Sequence, residues 1–202
     1  MNSGNGKLAG ALLFLGGAQF SVGLIVAEAV YPNYSVSQNY ISDLGVWGHL
    51  SAAVFNPSIF LFGLLIMAGA YLIQREFKAH YVALFFMLAG LGSAGVGVFP
   101  ENTFLVNGTP VFHSIFALMA FLFGGAAAIA SHKLAKPPFK YFAIVFGAMT
   151  LLALGLFLTT VSSGSLGLGA GGLERMIAYP TIIWTIGLGG YLMAQPKEGV
   201  QT

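Results

Sequence analysis

Six long apolar stretches alternate with polar connections along the chain: Leu8 to Tyr31, Ser51 to Ile73, Tyr81 to Phe99, Val111 to Ser131, Tyr141 to Thr160 and Glu174 to Met193. Each is close to the roughly 20 residues that carry a helix across a hydrocarbon core about 30 Å thick. They are too long and too evenly apolar for barrel strands, and a chain with no soluble part has to close its backbone hydrogen bonds inside the membrane. The pattern therefore predicts an all-α fold, a polytopic transmembrane six-helix bundle in a single membrane domain over 1–202. The connections are Pro32 to Leu50, then QREFKAH, PENTFLVNGTP, HKLAKPPFK and VSSGSLGLGAGG. Only the first is long enough for structure of its own.

Composition sharpens this reading. The chain is 57% hydrophobic and 7% charged, against about 25% charged in a soluble domain. Its 28 glycines suit helices that approach closely in lipid, and Gly10, Gly17 and Gly23 allow either internal packing or contact with a second copy. No cysteine is present, which removes thiolate metal sites, disulfides and cysteine nucleophiles. A net charge of +2 gives no basis for a nucleic-acid partner. Ala27-Glu28-Ala29 has the small-x-small form of a signal cleavage site, but the apolar stretch before it is too long and its middle residue is charged, so the segment is expected to remain as a span.

The charges are segregated. With the N-terminus inside, Lys7, Arg75, Lys78, Lys133, Lys136, Lys140 and Lys197 lie on the cytoplasmic side and Arg175 alone lies outside, the positive-inside pattern of a multi-pass cell-membrane protein with both termini cytoplasmic. Glu28, Asp43, Glu101 and Glu174 fall on the outer side with His49 and His113, whereas Glu76 and Glu198 join the basic residues. His80 and His132 sit beside Lys or Arg in inner loops and read as solvated groups. The ionisable residues that look out of place are thus all at one membrane face.

Within the first loop, Ser35 and Gln38 have capping-box spacing and Gly45 is placed as a C-cap, so a short amphipathic helix at the outer surface is expected, with Tyr40, Ile41 and Leu44 on its apolar side. Asp43 would lie near its C-terminal end and asks for a cation, a hydrogen-bond donor or a metal; the plainer reading is that it ties the loop through backbone N–H groups or pairs with Arg175. Trp47 reads as an interfacial anchor. Glu101 closes the third span and His113 opens the fourth, so the two are expected to face each other, as a packed pair or as an acid, base or ligand. Glu174 and Arg175 stand at the start of the sixth span. Arg175, the lone outer cation, would neutralise an acid or receive an anionic ligand such as a phosphate. Glu28 is the deepest carboxylate, which makes it a candidate ligand-binding group by position. Pro57 and Pro180 are expected to kink their helices.

As chemistry, Asp43, Glu101 and His113 could hold a divalent ion or act as a general acid and base on a lipid ester or phosphate, with Arg175, Glu174, Asn56 and Glu28 binding the ligand. No metalloprotease, hydrolase or phosphate-loop motif is present. Ser42 beside Asp43 and Ser114 beside His113 give only poor grounds for a serine nucleophile. Haem on His49 and His113 is disfavoured because the first lies in a loop. VFNPSIF and VFHSIF suggest an equivalence of Asn56 and His113, as in duplicated hairpins. Asn33-Tyr34-Ser35 and Asn107-Gly108-Thr109 are formal glycosylation sequons.

YPNYSVSQNYISDLG, the Asn56-Pro57 step, GVFPEN, His113 in VFHSIFALMAF and GGLER resemble a widespread archaeal and bacterial family of six-span membrane proteins of unknown function, over essentially the whole chain. More distantly, YISDLG followed by Asn-Pro resembles eukaryotic membrane proteins linked to autophagy modulation and remodelling of lipid anchors, which carry YISDTG and a Glu before proline; here Asn56 replaces that Glu. The resemblance implies that Asp43, Asn56, Glu101, His113, Glu174 and Arg175 meet in one site. Three functions stay open: an outward-facing pocket that binds or modifies a lipid headgroup or amphiphile, a transporter with Gln19, Ser93 and Thr150 in a midplane polar path, and a non-catalytic scaffold. Membrane lipids are the expected partners.

Overall fold

The computed structural model describes residues 3–160 and 165–195. It contains six long helices: α1 (Ser3–Val30), α2 (Ala52–Phe77), α3 (His80–Val98), α4 (Val111–Ala130), α5 (Phe139–Thr160) and α6 (Gly169–Ala194). All six are long and apolar enough to cross a membrane, and the protein is an integral membrane protein. Lys197 and Glu198, used above for orientation, lie outside the described residues.

Turn chemistry sets the helix ends. α2 stops where Lys78 takes a left-handed conformation and returns its N–H to Gln74, and Pro110 and Pro138 immediately precede α4 and α5, where a missing N–H costs nothing. Consecutive helices pack side by side and α6 closes back onto α1. Small residues set the crossings. A Cβ built on Gly10 would lie 2.6 Å from the carbonyl oxygen of Gly189, and one on Gly63 would lie 2.4 Å from that of Gly90, so α1 meets α6 and α2 meets α3 backbone to backbone. Gly17 and Gly23 likewise face Ile186 and Ser58, which places this glycine row inside the bundle rather than at a contact with another copy.

The first loop differs from its expected form. In place of a helix over Ser35 to Leu44, a turn at Ser35 to Asn39 is followed by a single 3-10 turn, Ser42–Gly45. Asn39, not Gln38, reaches back to the Ser35 N–H at 3.0 Å. Ile41 and Leu44 are buried, so the segment is a plug folded into the bundle mouth and not a ribbon on its surface.

α6 begins at Gly169, five residues before Glu174, because the N–H groups of Gly171 and Gly172 find the Ser37 carbonyl at 3.0 and 3.3 Å. That bond supplies acceptors to helix-start amides that otherwise have none. It requires glycine: a Cβ on Gly171 would sit 2.0 Å from the Asn39 carbonyl oxygen. Glu174 and Arg175 therefore lie inside the helix, past its first turn, where the helix dipole has little hold on them. Gly171→Ala is expected to cost about 1–3 kcal/mol by overpacking and to lower the thermal midpoint in detergent. Gly190→Ala, with no atom within 4 Å of a built Cβ, should leave the midpoint unchanged or raise it. Equal midpoints for the two variants would contradict the packing described.

Candidate functional site

The connections Pro32 to Leu50 and Phe99 to Pro110 meet the start of α6 at one end of the bundle, where Glu28, Asp43, Glu101, Glu174, His113 and Arg175 all lie. Arg175 is 6% exposed and organises this end. Its Nη2 donates to Glu28 Oε1 at 2.7 Å and to the Tyr34 hydroxyl at 2.5 Å. Nη1 donates to the carbonyls of Val36, Asn39 and Gly171 at 2.8, 3.2 and 2.9 Å. Nε has no partner among the described residues. A planar guanidinium suits such a set of divergent acceptors, as a lysine ammonium does not. The Tyr34 phenol, its pKa pushed up to about 12 chiefly by burial, keeps its proton and donates it to the Tyr40 carbonyl at 3.0 Å. The Tyr40 phenol is also raised by burial, with Glu174, Glu101 and Asp43 adding to the effect.

Asp43 faces into its own loop. Its Oδ2 accepts from Asn39 Nδ2 at 3.0 Å and from the Tyr40 N–H at 2.9 Å. Glu174 Oε2 accepts from the Ile41 N–H. Ser42, between these two anchors, donates its hydroxyl to Glu101 Oε1, and the same oxygen lies 3.4 Å from His113 Nε2. His113 Nδ1 donates to the Phe99 carbonyl at 3.0 Å, so Nε2 is the nitrogen that faces Glu101.

Asn56 donates to the Gly45 carbonyl at 2.9 Å, while its Oδ1 has no partner among the described residues. Asn56 and His113 thus do the same mechanical work, each fastening the connection that enters its helix. Trp47 is exposed, and its backbone forms two hydrogen bonds with the Asn102 side chain, at 3.1 and 2.9 Å. His49 is exposed and stacks on Tyr31, away from the buried His113.

The geometry bears on three expectations. Asp43 does not join Glu101 and His113: among the described residues no three of His, Asp and Glu are close enough to hold a metal ion. Of the two roles open to Arg175, neutralising an acid is the one seen, with Glu28 as its counter-ion. Asn56 is engaged with the loop backbone. Tyr34, Asn39 and Ser42 carry more of the network than sequence reasoning assigned them. The signal for Tyr34 was its place six residues after an intramembrane carboxylate.

A cavity opens directly beneath the plug. Water-sized groups can be centred over about 80 Å³ of it, and its full envelope is wider by a group radius all round. Ser42, His113 and Glu174 form its polar end, and Phe55, Ile59, Phe121, Ile182 and Trp184 are among the side chains that carry it inward. Ser93, Thr181 and Thr185 also line it, but their hydroxyls donate to the carbonyls of Ala89, Ala178 and Thr181. The Trp184 indole N–H likewise donates to Ser131, leaving the inner wall apolar.

A family profile matches residues 14–191 of the chain. The chain belongs to the DUF998 family, proteins of unknown function. No curated protein and no solved structure matches it. The matched span of this DUF998 protein contains every residue of the network, from Glu28 to Arg175.

Arg175→Met would leave Glu28 without its cation and free three backbone carbonyls. The expected loss is roughly 3 kcal/mol, with cleavage of the Pro32 to Leu50 loop by added protease. Arg175→Lys should recover little of either, because one ammonium cannot reach acceptors on so many sides. Full recovery by lysine would contradict the described role.

Proposed function

We propose that the protein binds a single-chain amphiphile, with the head at Ser42, His113 and Glu174 and the chain in the cavity below. The supporting observation is the asymmetry of that cavity: polar groups at the mouth only, and an apolar wall from which every hydroxyl has been turned away. A site of this shape matches an amphiphile. By the lysine and arginine distribution the mouth faces the outside of the cell membrane, with the termini cytoplasmic. The transporter reading has less support, since Gln19, Ser93 and Thr150 all bond to backbone carbonyls and provide no polar path through the midplane.

Native mass spectrometry of protein extracted in mild detergent tests this reading. Wild type should carry a lipid-sized adduct, and Ala120→Phe, which places a ring in the cavity, should remove it while keeping the thermal midpoint within a few degrees. A folded Ala120→Phe variant with the adduct intact would refute the assignment.

One observation favours chemistry as well as binding. Ser42 donates to Glu101, which lies 3.4 Å from His113 Nε2 beside the cavity, and Glu101 can take the Ser42 proton as Oγ attacks an ester carbonyl and then return it to the departing alcohol. Water would release the acyl group from the serine. A fluorophosphonate probe should then label wild type and not Ser42→Ala; absence of labelling would leave a binding protein.

A further inference from the structure

The charges at the cavity mouth do not balance. Glu28 is paired with Arg175 and Glu101 faces His113, while Asp43 is answered by two neutral donors. Glu174 has neither arrangement. It is 6% exposed, has no cation within 4.0 Å among the described residues, and receives one hydrogen bond, from the Ile41 N–H to Oε2. Its Oε1 makes no hydrogen bond with the described residues, although Glu174 lines the cavity. Ser42 uses its hydroxyl hydrogen on Glu101, so toward the cavity it offers only lone pairs. With Glu174 ionised, the mouth is therefore rich in acceptors and poor in donors, and Arg175, the one arginine nearby, is paired with Glu28 and does not line the cavity.

We propose that the head group received here is a primary ammonium, and that the ligand is a long-chain primary amine. This rests on the amphiphile reading above and names its chemical class. One N–H of the ammonium donates to Glu174 Oε1 and a second to Ser42 Oγ, giving the buried carboxylate the charged partner it lacks. A carboxylate or phosphate head would meet Glu174 as a like charge, with His113 and Arg175 each already facing a carboxylate of the protein. A quaternary ammonium has no N–H to donate, and an alcohol brings no charge. Glu174 and Trp184 both line the cavity, ten residues apart on α6, and a rise of about 1.5 Å per residue makes this about 15 Å, the reach of a saturated chain of about twelve carbons.

Trp184 supplies the readout. The chain has two tryptophans, so Trp47→Phe leaves the cavity indole as sole reporter. Its quenching by ω-bromododecylamine, ω-bromododecanol and ω-bromododecanoate is compared in phosphatidylcholine nanodiscs at matched bilayer content, with the Ala120→Phe variant measuring quenching from the bilayer alone. The amine should act at about tenfold lower content than either other probe, the size expected of one charge-assisted hydrogen bond. Glu174→Gln, which keeps an acceptor for Ile41, should erase that preference. Equal or stronger action by the alcohol or the carboxylate, or an amine preference that survives in Glu174→Gln, would overturn the head-group assignment while leaving the amphiphile reading standing. If no probe quenches above the Ala120→Phe level, both fall.

Discussion

A charged or polar group buried in a membrane-embedded bundle must be satisfied by protein atoms or by a ligand, because hydrocarbon provides neither donors nor acceptors. The acidic end of this protein is built around that constraint. Arg175 gathers three loop and helix carbonyls, a phenol and the Glu28 carboxylate, and in doing so pulls the first connection over the bundle mouth. Ile41, Ser42 and Leu44 point inward as a consequence. The cavity has a roof because the arginine has partners.

The same constraint explains the division of labour among the carboxylates. Glu28 is a counter-ion, Asp43 holds the turn of its own loop, and Glu101 joins the roof to α4 through Ser42 and His113. Glu174 holds the roof with one oxygen and lines the cavity below it. Four residues of one chemical class thus perform four tasks, separated by which donors the backbone brings to them.

Much of the architecture was legible before any coordinates. Span length and the one-sided placement of lysine and arginine specify six helices, since hydrophobic length is a direct physical requirement of the bilayer. The gathering of Glu101 and His113 could be anticipated from their positions at the facing ends of adjacent spans. The plug could not: a Ser-x-x-Gln pattern signals a helix start, whereas Asn39 won the competition for the Ser35 N–H, and burial of Ile41 and Leu44 decided the rest. Nor could the start of α6, which the glycine run makes possible by letting the loop carbonyls of Ser37 and Asn39 approach within a Cβ radius. The cavity was equally hidden, because Phe55, Ile59 and Phe121 have the same spacing whether they fill a core or line a space.

An experimental density map of the protein purified in lipid from its own membrane tests the central claim most directly. The account predicts a continuous rod of density from the Glu174 carboxylate inward to the Trp184 indole, under a roof held by the Arg175 network. A central space filled by repacked phenylalanine side chains, or by water reaching the basic end of the bundle, would contradict it.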